Sequence, residues 1–579
     1  MTLAHSTRIG SRHNALARVT PAGTASPRSP SGWMGGDGQA GASGPNWARF
    51  DFPGGGQTRC MTSLWRDRAL AASSLPQAAP ATASSGGEYD TVVVGAGLTG
   101  LTTGLLLARS GQRVAVVEAR TAGAVTTGNT TGKVSMLQGT RLSQIARKHS
   151  SGILHSYVEG NLEGQQWLLR YCTERGVPFD TEPAITYAQH ESATVRVRAE
   201  YDACRAAGLA VRFVPDIDLP VPCSGAVVLD GQAQLDPMPV LAALARDLAS
   251  HGGVLVEHRR VTQVRRAGRA RYRVVTEHDD FTAARVVLAT GIPILDRGGF
   301  FARLVPERSY ALAFAMPDGA PGGMYLSADS PTRSLRPAHD RRLLLVGGNG
   351  HVVGRSSSPQ QAIDDLVDWT RRHFPGAEPT HRWSAQDYSS LDSLPYVGPL
   401  VPGRDGILVA TGFGKWGMTN GVAAALALTD RILHGHMRWT DAFSSWSPTQ
   451  LFDLPSMVKT NGEVAYHLVT GWTKAALHGS EDEQSGATVS QQGTVVRDGV
   501  RPVGVCTVDG RANRVGAVCP HLGGVLRWND AEQSWDCPLH GSRFDADGTL
   551  LEGPATHDLP RIDTTPRPAA SALDGERRQ

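Results

Sequence analysis

The pattern of apolar and polar positions changes several times along the chain and divides it into five stretches. Residues 1–86 are rich in Gly, Ser, Ala and Pro, show neither a helical nor a strand period, and are predicted to be a disordered leader. In residues 87–435 predicted strands and helices alternate, which is typical of an α/β domain. Residues 436–487 are less regular and end in a polar linker. Residues 488–565 contain short strand-like runs broken by Gly, Asp and Pro, which predict a small all-β domain, and residues 566–579 are predicted to be a disordered tail.

The start of the leader leaves two interpretations open. Up to Cys60 it contains arginine but no lysine and few acids, a balance loosely similar to that of a transit peptide, without the apolar core of a secretion signal. The alternative is that translation starts at Met61.

Composition narrows the class of protein. A hydrophobic content of 40%, a charged content of 19% and a net charge of +3 describe an ordinary globular protein and do not indicate a nucleic-acid partner. No stretch approaches the roughly 18 consecutive apolar residues of a membrane span. The seven cysteines are odd in number and dispersed, so they do not form a disulfide framework, and a reducing, cytoplasmic location is expected.

The first chemical motif lies in YDTVVVGAGLTGLTTGLLLARSGQRVAVVEAR, residues 89–120. An apolar strand runs into glycines at 95, 97 and 100, an apolar helix follows, and a second strand ends at Glu118. The glycines allow a tight turn, a close approach to a pyrophosphate and close helix–strand packing, while the helix N-terminus attracts phosphate. Strand, glycines, helix, strand and acid in this order predict a dinucleotide site formed by Gly95, Ala96, Gly97, Thr99, Gly100, Glu118, Ala119 and Arg120.

Later motifs distinguish FAD from NAD. The segments RVVLATG (285–291), SLDSLPYVGP (390–399) and GILVATGFGKWGMTNGVAAALALTDRIL (406–433) resemble the D-amino-acid-oxidase-like FAD oxidoreductases, which include glycine and sarcosine oxidases. The resemblance implies a Rossmann-type FAD-binding domain with an inserted mixed-sheet substrate domain. It also implies that further residues contact FAD, namely Thr130, Thr131, Lys133, Val261, Thr290, Gly291, Gly412, Trp416, Gly417, Met418 and Thr419.

One departure from this family concerns the substrate. The position where the resemblance expects a carboxylate-binding arginine is Asp387, and an acid there would repel a carboxylate and attract an amine. We consider Arg308 as a substitute from another strand, His351 as a residue of the same cleft, and Lys415 as a partner of the reduced flavin. The catalytic residues stay unknown, with Lys415, His351, Arg308 and Asp387 as candidates, and the sequence does not expose a catalytic base.

The second chemical motif is CPHLGGVLRWNDAEQSWDCPLHGSRFD, which begins at Cys519. Cys519 and His521 form one mixed pair and Cys537 and His540 a second, whereas zinc fingers place Cys with Cys and His with His. Two cysteines on one iron and two histidines on the other is the arrangement of a Rieske 2Fe–2S cluster. A structural zinc site remains the alternative.

The motif resembles Rieske domains closely, with EGPATHDLP (552–560) at the position of their proline loop. Respiratory Rieske proteins brace the two cluster loops with a disulfide, and the matching positions here are Gly524 and Leu539. The resemblance therefore implies the ferredoxin or oxygenase branch. From Met61 onward the whole chain resembles bacterial FAD-dependent oxidoreductases with a C-terminal Rieske domain, and MTSLWRD resembles their usual start.

Together these observations predict an enzyme. A small amine or amino-acid-like substrate would reduce the flavin, and electrons would pass through the cluster to an unknown external acceptor or carrier. Two alternatives stay open, a carrier-fed flavin reductase component and a redox-sensing FAD/Rieske module.

Overall fold

The computed structural model describes residues 61–73, 87–447, 454–477 and 493–562. The predicted tail, most of the leader and the polar run at 478–487 lie outside these residues. The helices are α1 Leu64–Ala71, α2 Leu98–Arg109, α3 Arg141–Lys148, α4 Ser151–Arg175, α5 Glu191–Ala206, α6 Pro237–Ser250, α7 Pro359–His373, α8 Gly417–Ile432 and α9 Leu454–Leu477.

The strands that precede α7 are β1 Glu88–Val94, β2 Val114–Val117, β3 Lys133–Val134, β4 Phe179–Tyr187, β5 Arg212–Val214, β6 Ala226–Leu235, β7 Val254–Val256, β8 Val261–Arg266, β9 Tyr272–Thr276, β10 Asp280–Gly291, β11 Leu304–Ala315, β12 Met324–Ser327, β13 Arg333–Ala338 and β14 Leu343–Val352. Those that follow it are β15 Glu378–Ser390, β16 Tyr396–Val401, β17 Arg404–Thr411, β18 Thr494–Asp498, β19 Arg501–Val508, β20 Arg511–Gly516, β21 Arg527–Asn529, β22 Ser534–Asp536, β23 Arg543–Asp545 and β24 Leu550–Glu552.

The first sheet has the order β16-β17-β10-β1-β2-β7, with β8 and β9 attached beside β10. β1, β2, β7, β10 and β17 run parallel. Residues 91–94 of β1 are buried on both faces, which explains why this strand is a continuous apolar run rather than an alternating one. Helix α2 begins directly after the glycine turn, so β1, the turn and α2 form the predicted dinucleotide-binding unit.

The second sheet has the order β15-β11-β14-β13-β12-β4-β6-β3, with β5 attached to β6. It mixes antiparallel pairs with the parallel pair β4–β12. Its strands come from segments inserted between those of the first sheet, which confirms the prediction of an inserted mixed sheet. Two small antiparallel sheets, β18-β19-β20 and β21-β22-β23-β24, form the all-β domain at the C-terminal side.

Helices α4 and α8 cross closely because α4 carries glycine at the contact. A Cβ atom at Gly164 would lie 2.7 Å from the carbonyl oxygen of Thr419. Any side chain there would push α8 away. Helix α8 directly follows the turn that contains the predicted FAD contacts Gly412 and Trp416.

The structure corrects the prediction for the end of the leader. Residues 61–73 are ordered, and α1 begins after Ser63, whose hydroxyl accepts a hydrogen bond from the backbone N–H of Arg66. Leu64 and Trp65 are buried in the main core. The prediction of disorder was wrong here because two large apolar residues next to a cap are enough to hold a short helix against an existing core.

The segment at 436–487 also differs from its irregular prediction, because α9 occupies 24 residues of it. Val464 and Leu468 of α9 pack against the core of the all-β domain. Among the described residues, no helix combines the length and apolar character needed to cross a bilayer. The cysteines in the described part of the chain are all free thiols.

Candidate active site and metal centre

A cavity of about 1110 Å³ lies between the two large sheets. One end is lined by the glycine turn, by Glu118 after β2, and by Val261 at the start of β8. The other end is lined by residues of β11, β14 and β15, from the second sheet. A ligand pocket usually measures about 300–1,000 Å³, so this cavity is large enough for a dinucleotide and a small substrate together.

The nucleotide end fits a pyrophosphate and a ribose. Gly97 caps α2 without a side chain, so the helix N-terminus opens directly onto the cavity. Gly95 has φ of +105°, and a Cβ atom there would lie 2.5 Å from the carbonyl oxygen of Ala289. The Glu118 carboxylate accepts hydrogen bonds from the backbone N–H groups of Ala96 (2.8 Å) and Arg120 (2.9 Å). These bonds hold the acid at the cavity wall.

The flavin loop, residues 126–135, contains the predicted FAD contacts Thr130, Thr131 and Lys133, and it is held by groups far away in sequence. Trp65 Nε1 donates to the carbonyl oxygen of Thr130 (2.7 Å), and Trp383 Nε1 donates to that of Asn129 (2.8 Å). The hydroxyl of Thr126 donates to the carbonyl oxygen of Gln386 (2.6 Å). Helix α1 is therefore part of the support of the active site, a role that the sequence did not reveal.

The predicted FAD-binding residues divide into two groups. The cavity is lined by Gly95, Gly97, Thr99, Glu118, Ala119, Arg120, Thr130, Thr131, Lys133, Val261, Thr290, Gly291, Trp416, Gly417 and Met418. Ala96, Gly100, Gly412 and Thr419 lie behind this wall. Gly100 supports it by packing, since a Cβ atom there would lie 1.9 Å from the carbonyl oxygen of Gly95. Gly412 has φ of +78° and forms the turn after β17.

At the substrate end, Asp387 and Glu307 occupy opposite positions on the paired strands β15 and β11, and both line the cavity. Asp387 accepts hydrogen bonds from the backbone N–H groups of Tyr388 and Lys415. Burial raises the pKa of Asp387 to about 6, and the Glu307 carboxylate adds to the increase. Lys415 Nζ lies 3.7 Å from Glu307. The wall therefore presents two carboxylates beside one lysine.

Two of the predicted candidates lie elsewhere. Arg308 does not reach the cavity, because its buried guanidinium forms an ion pair with Glu532 of the all-β domain. The hypothesis that Arg308 binds a substrate carboxylate is therefore wrong. His351 does not line the cavity either, since its Nε2 atom lies 3.0 Å from the Tyr310 hydroxyl. Adjacent positions in a strand face opposite sides of a sheet, and the sequence did not indicate which side these residues face.

Two buried basic residues at the cavity, Lys133 and Arg141, have different roles. Lys133 Nζ donates to the carbonyl oxygen of Tyr325 (2.7 Å) and to the Ser334 hydroxyl (2.8 Å), and burial lowers its pKa to about 7. Arg141, which sequence reasoning missed, donates to the carbonyl oxygen of Gly414 (2.7 Å). Arg141 therefore braces the glycine turn that precedes α8.

The four predicted metal ligands converge in the all-β domain. The Cys519 N–H donates to the carbonyl oxygen of Gly524 (2.9 Å), and the Cys537 N–H donates to that of Ser542 (2.8 Å). Each bond closes a tight loop that points its cysteine inward. The two thiols are close enough to interact, and the hydrogen bond with Cys537 lowers the pKa of Cys519 to about 7. A thiolate forms readily at such a position.

The two histidines face the same site, with ring centroids 5.1 Å apart. The Nδ1 atom of His540 is buried and has no hydrogen-bond partner. Burial lowers the pKa of His540 to about 4, and His521 adds to the decrease, so the imidazole stays neutral. A neutral, unpartnered buried nitrogen beside two thiols fits a metal ligand.

The ligand set fits the cluster that the sequence predicts. Each of the two loops supplies one cysteine and one histidine, and a Rieske cluster takes two cysteines on one iron and two histidines on the other. The thiol pair and the histidine pair that meet in this site could therefore hold a 2Fe–2S cluster.

Packing takes the place of the disulfide that braces the two cluster loops in respiratory Rieske proteins. Gly524 and Leu539 do face each other, since a Cβ atom at Gly524 would lie 2.7 Å from Leu539 Cδ1 and 3.1 Å from Cys537 Sγ. The leucine fills the space that a bridge would occupy, so packing holds the two loops together.

The cluster loops rest directly on the wall of the cavity. Gln386 Nε2 donates both to the Tyr388 hydroxyl and to the carbonyl oxygen of Gly541, each at 2.8 Å. Tyr388 lines the cavity, and Gly541 follows the ligand His540. The all-β domain itself contributes Leu551, Glu552, Gly553 and Ala555 to the cavity lining.

A buried ionic cluster joins the two domains. Arg308 of β11 pairs with Glu532 and lies 3.5 Å from Glu552. Arg543 of the all-β domain pairs with Glu532 (2.7 Å), Asp536 (3.0 Å) and Glu552 (3.3 Å). Burial alone would raise the pKa of Glu532, but the two arginines hold it down at about 2. The Glu532 carboxylate is therefore charged at neutral pH.

Comparison with known families supports the FAD-binding part and the Rieske part of the chain separately. Residues 90–431 match the family model of FAD dependent oxidoreductases, and residues 476–563 match that of the Rieske [2Fe-2S] domain. A Bacillus subtilis (strain 168) protein, YhfW, described as a Rieske 2Fe-2S iron-sulfur protein, is 30% identical over 486 residues, which cover 82% of this chain and 94% of that protein.

Two solved structures share the fold of the larger part. Glycine oxidase from Geobacillus kaustophilus has a TM-score of 0.52 at 20% identity and covers 62% of this chain and 98% of its own. L-amino acid deaminase from Proteus myxofaciens has a TM-score of 0.50 at 16% identity and covers 64% of this chain and 94% of its own. At these identities the likeness shows the fold alone.

Proposed function

Because the chain belongs to the FAD-dependent oxidoreductase family and ends in a Rieske [2Fe-2S] domain, we propose that it is an amine dehydrogenase. Its substrate is a small amine or amino-acid-like molecule, and its electrons leave through the cluster to an external acceptor. Bound FAD supplies the hydride-accepting chemistry, and the cluster supplies one-electron transfer.

The observation that carries this proposal is the shared wall. The cavity that holds the nucleotide fingerprint is lined by four residues of the Rieske domain, and Gln386 connects Tyr388 in that wall to the loop of His540. A Rieske domain that took no part in the reaction would not need to line the cavity or to contact its wall through Gln386. The arrangement suits an enzyme that oxidises its substrate and exports the electrons within one molecule.

The residues at the substrate end favour an amine. Asp387 and Glu307 supply two carboxylates for one nearby lysine, Lys415, which lies 3.7 Å from Glu307, so the wall favours an ammonium group. Arg308 is already occupied by Glu532 and does not bind a carboxylate. Arg141 is likewise engaged with the carbonyl oxygen of Gly414. Two proteins of the same fold, a glycine oxidase and an L-amino acid deaminase, act on amino acids, which supports a substrate whose oxidised carbon carries a C–N bond.

Anaerobic stopped-flow absorbance combined with EPR tests the proposal. The purified protein is mixed with a panel in which each amino acid is paired with the amine that its decarboxylation would give. We expect one or more of the amines to bleach the flavin and then produce a Rieske-type EPR signal. In the variant Cys537→Ser, which lacks a cluster ligand, the flavin should still bleach but the EPR signal should be absent.

Other results would contradict the proposal. If dithionite reduces the cluster but no panel compound bleaches the flavin, the amine hypothesis fails, and a carrier-fed reductase becomes the better account. If an amine reduces the flavin once but no acceptor restores turnover, the protein is a redox-sensing module rather than a dehydrogenase.

A further inference from the structure

The outer nitrogen of one cluster ligand is held by a residue from the other domain. His521 Nε2 lies 2.6 Å from Asp296 Oδ1, although the two residues are 225 positions apart. The His521 side chain is only 6% exposed, whereas that of Asp296 is 52% exposed. The bond therefore connects a nearly buried imidazole to a carboxylate at the edge of the domain interface.

This contact determines which nitrogen of His521 faces the cluster. A carboxylate can only accept a hydrogen bond, so Nε2 carries the proton and Nδ1 is left for iron. His540 also turns a free Nδ1 atom inward. Among the described residues no carboxylate lies within ion-pair distance of His540, so the two ligands differ in their outer partners.

The segment that carries Asp296 also leads from the cavity to the cluster. Strand β10 ends at Thr290 and Gly291, which line the cavity, and the chain then turns through Gly298 and Gly299, both with positive φ. Phe301 follows, and its ring centroid lies 5.4 Å from that of His540 and 6.4 Å from that of His521. The apolar ring shields the histidines from water, which strengthens the effect of any nearby charge.

We propose that Asp296 is a positioning residue of the cluster, which fixes the tautomer of His521 and lowers the reduction potential of the 2Fe–2S centre. Reduction adds one negative charge to the cluster, and the adjacent carboxylate opposes that addition. Outer partners of metal-bound histidines orient the ring and raise its basicity. The potential of this cluster is thus a property of the two domains docked together. The inference does not depend on the identity of the substrate.

The test is a redox titration of the full-length protein with dithionite, and the cluster is followed by EPR. Each dithionite supplies two electrons, and full reduction takes three electrons per protein, two for bound FAD and one for the cluster. Asp296→Asn keeps a hydrogen-bond acceptor but removes the charge, and Asp405→Asn removes an equal charge from an exposed ion pair with Arg431, which involves no cluster ligand. For Asp296→Asn we expect about a tenfold shift of the one-electron equilibrium toward reduction, which corresponds to about +59 mV. Asp405→Asn should titrate like the wild type.

Iron content is measured first, and a third variant separates charge from geometry. Asp296→Ala removes the bond as well as the charge, so we expect the same direction of shift together with altered EPR g-values. If Asp296→Asn carries a full cluster and titrates like the wild type, or if Asp405→Asn shifts equally, the proposal is overturned. If Asp296→Asn loses iron while Asp296→Glu retains it, the carboxylate is required to hold His521 in place, which supports the positioning role.

Discussion

The position of Asp387 on strand β15 gives its carboxyl group an unusual pKa. Its carboxylate is held by two backbone N–H groups, and burial raises its pKa from an ordinary 3.8 to about 6. The fold therefore keeps this carboxyl protonated up to about pH 6, and it is ionised at neutral pH. Only the ionised form attracts an ammonium group.

We predict a pH dependence of substrate binding that belongs to this residue. The Kd of a reducing amine should be constant above pH about 6 and rise below it toward the Kd of Asp387→Asn, because Asp387 becomes neutral. Asp387→Asn should bind more weakly and show no such rise. The Kd of the wild type and that of Asp387→Asn are both measured between pH 5 and 8, from the dependence of flavin bleaching on the amine concentration. Retention of the rise in Asp387→Asn would assign it to another group.

At the scale of elements, helix α1 stands out because it is short and distant in sequence but braces the flavin loop. Trp65 is buried, and its indole N–H is bonded to the carbonyl oxygen of Thr130. Ser63 adds a bond from its hydroxyl to the carbonyl oxygen of Gly128 (2.5 Å). We expect the loss of these bonds to loosen a loop that lines the cavity.

We therefore expect Trp65→Phe to weaken FAD binding by about tenfold, since a buried carbonyl left unpaired costs about 1–3 kcal/mol. Equilibrium dialysis of the apoprotein against FAD measures the change. Trp446→Phe is a matched control, because Trp446 donates a similar bond to Pro399 (2.9 Å) outside the cavity lining. Equal losses in the two variants would show that the effect on FAD is not specific to α1.

At the scale of the whole molecule, the ionic cluster fixes how the two cofactor domains meet. Arg308 and Arg543 compensate Glu532, which would otherwise be a buried, unpaired charge. Buried ion pairs contribute little net stability but are costly to break on one side. They therefore select one orientation of the Rieske domain, the one that places the cluster loops on the cavity wall.

Removal of one partner should be strongly destabilising. For Arg308→Ala we expect a loss of about 3–5 kcal/mol in the free energy of unfolding, measured by urea denaturation. The control Arg431→Ala breaks an exposed pair with Asp405 and should cost at most about 1 kcal/mol.

The loss of stability in Arg308→Ala should become smaller as the pH falls. The folded-state pKa of Glu532 is lowered to about 2 from 4.5, so its contribution is present above pH 4.5 and disappears as the pH falls toward 2. The difference between wild type and Arg308→Ala should therefore shrink over that range. A constant difference would contradict the role given to Glu532.

The sequence by itself determined the features that depend on short, contiguous patterns. The glycine turn with Glu118, and the two mixed pairs beginning at Cys519 and Cys537, each bring their chemistry together within one or two adjacent loops. The fold class and both cofactors followed from these motifs and are confirmed by the family matches. Such patterns survive in the sequence because backbone geometry alone requires them.

The tertiary structure decided which face of a strand each polar residue occupies and which distant segments meet. Arg308 turned to Glu532 rather than to the cavity, Asp296 reached His521, and Trp65 reached Thr130. None of these contacts leaves a periodic signal, because a long-range pair can form from any two positions that the packing of the sheets brings together. The sequence therefore specified the cofactors, and the fold specified how they are held and connected.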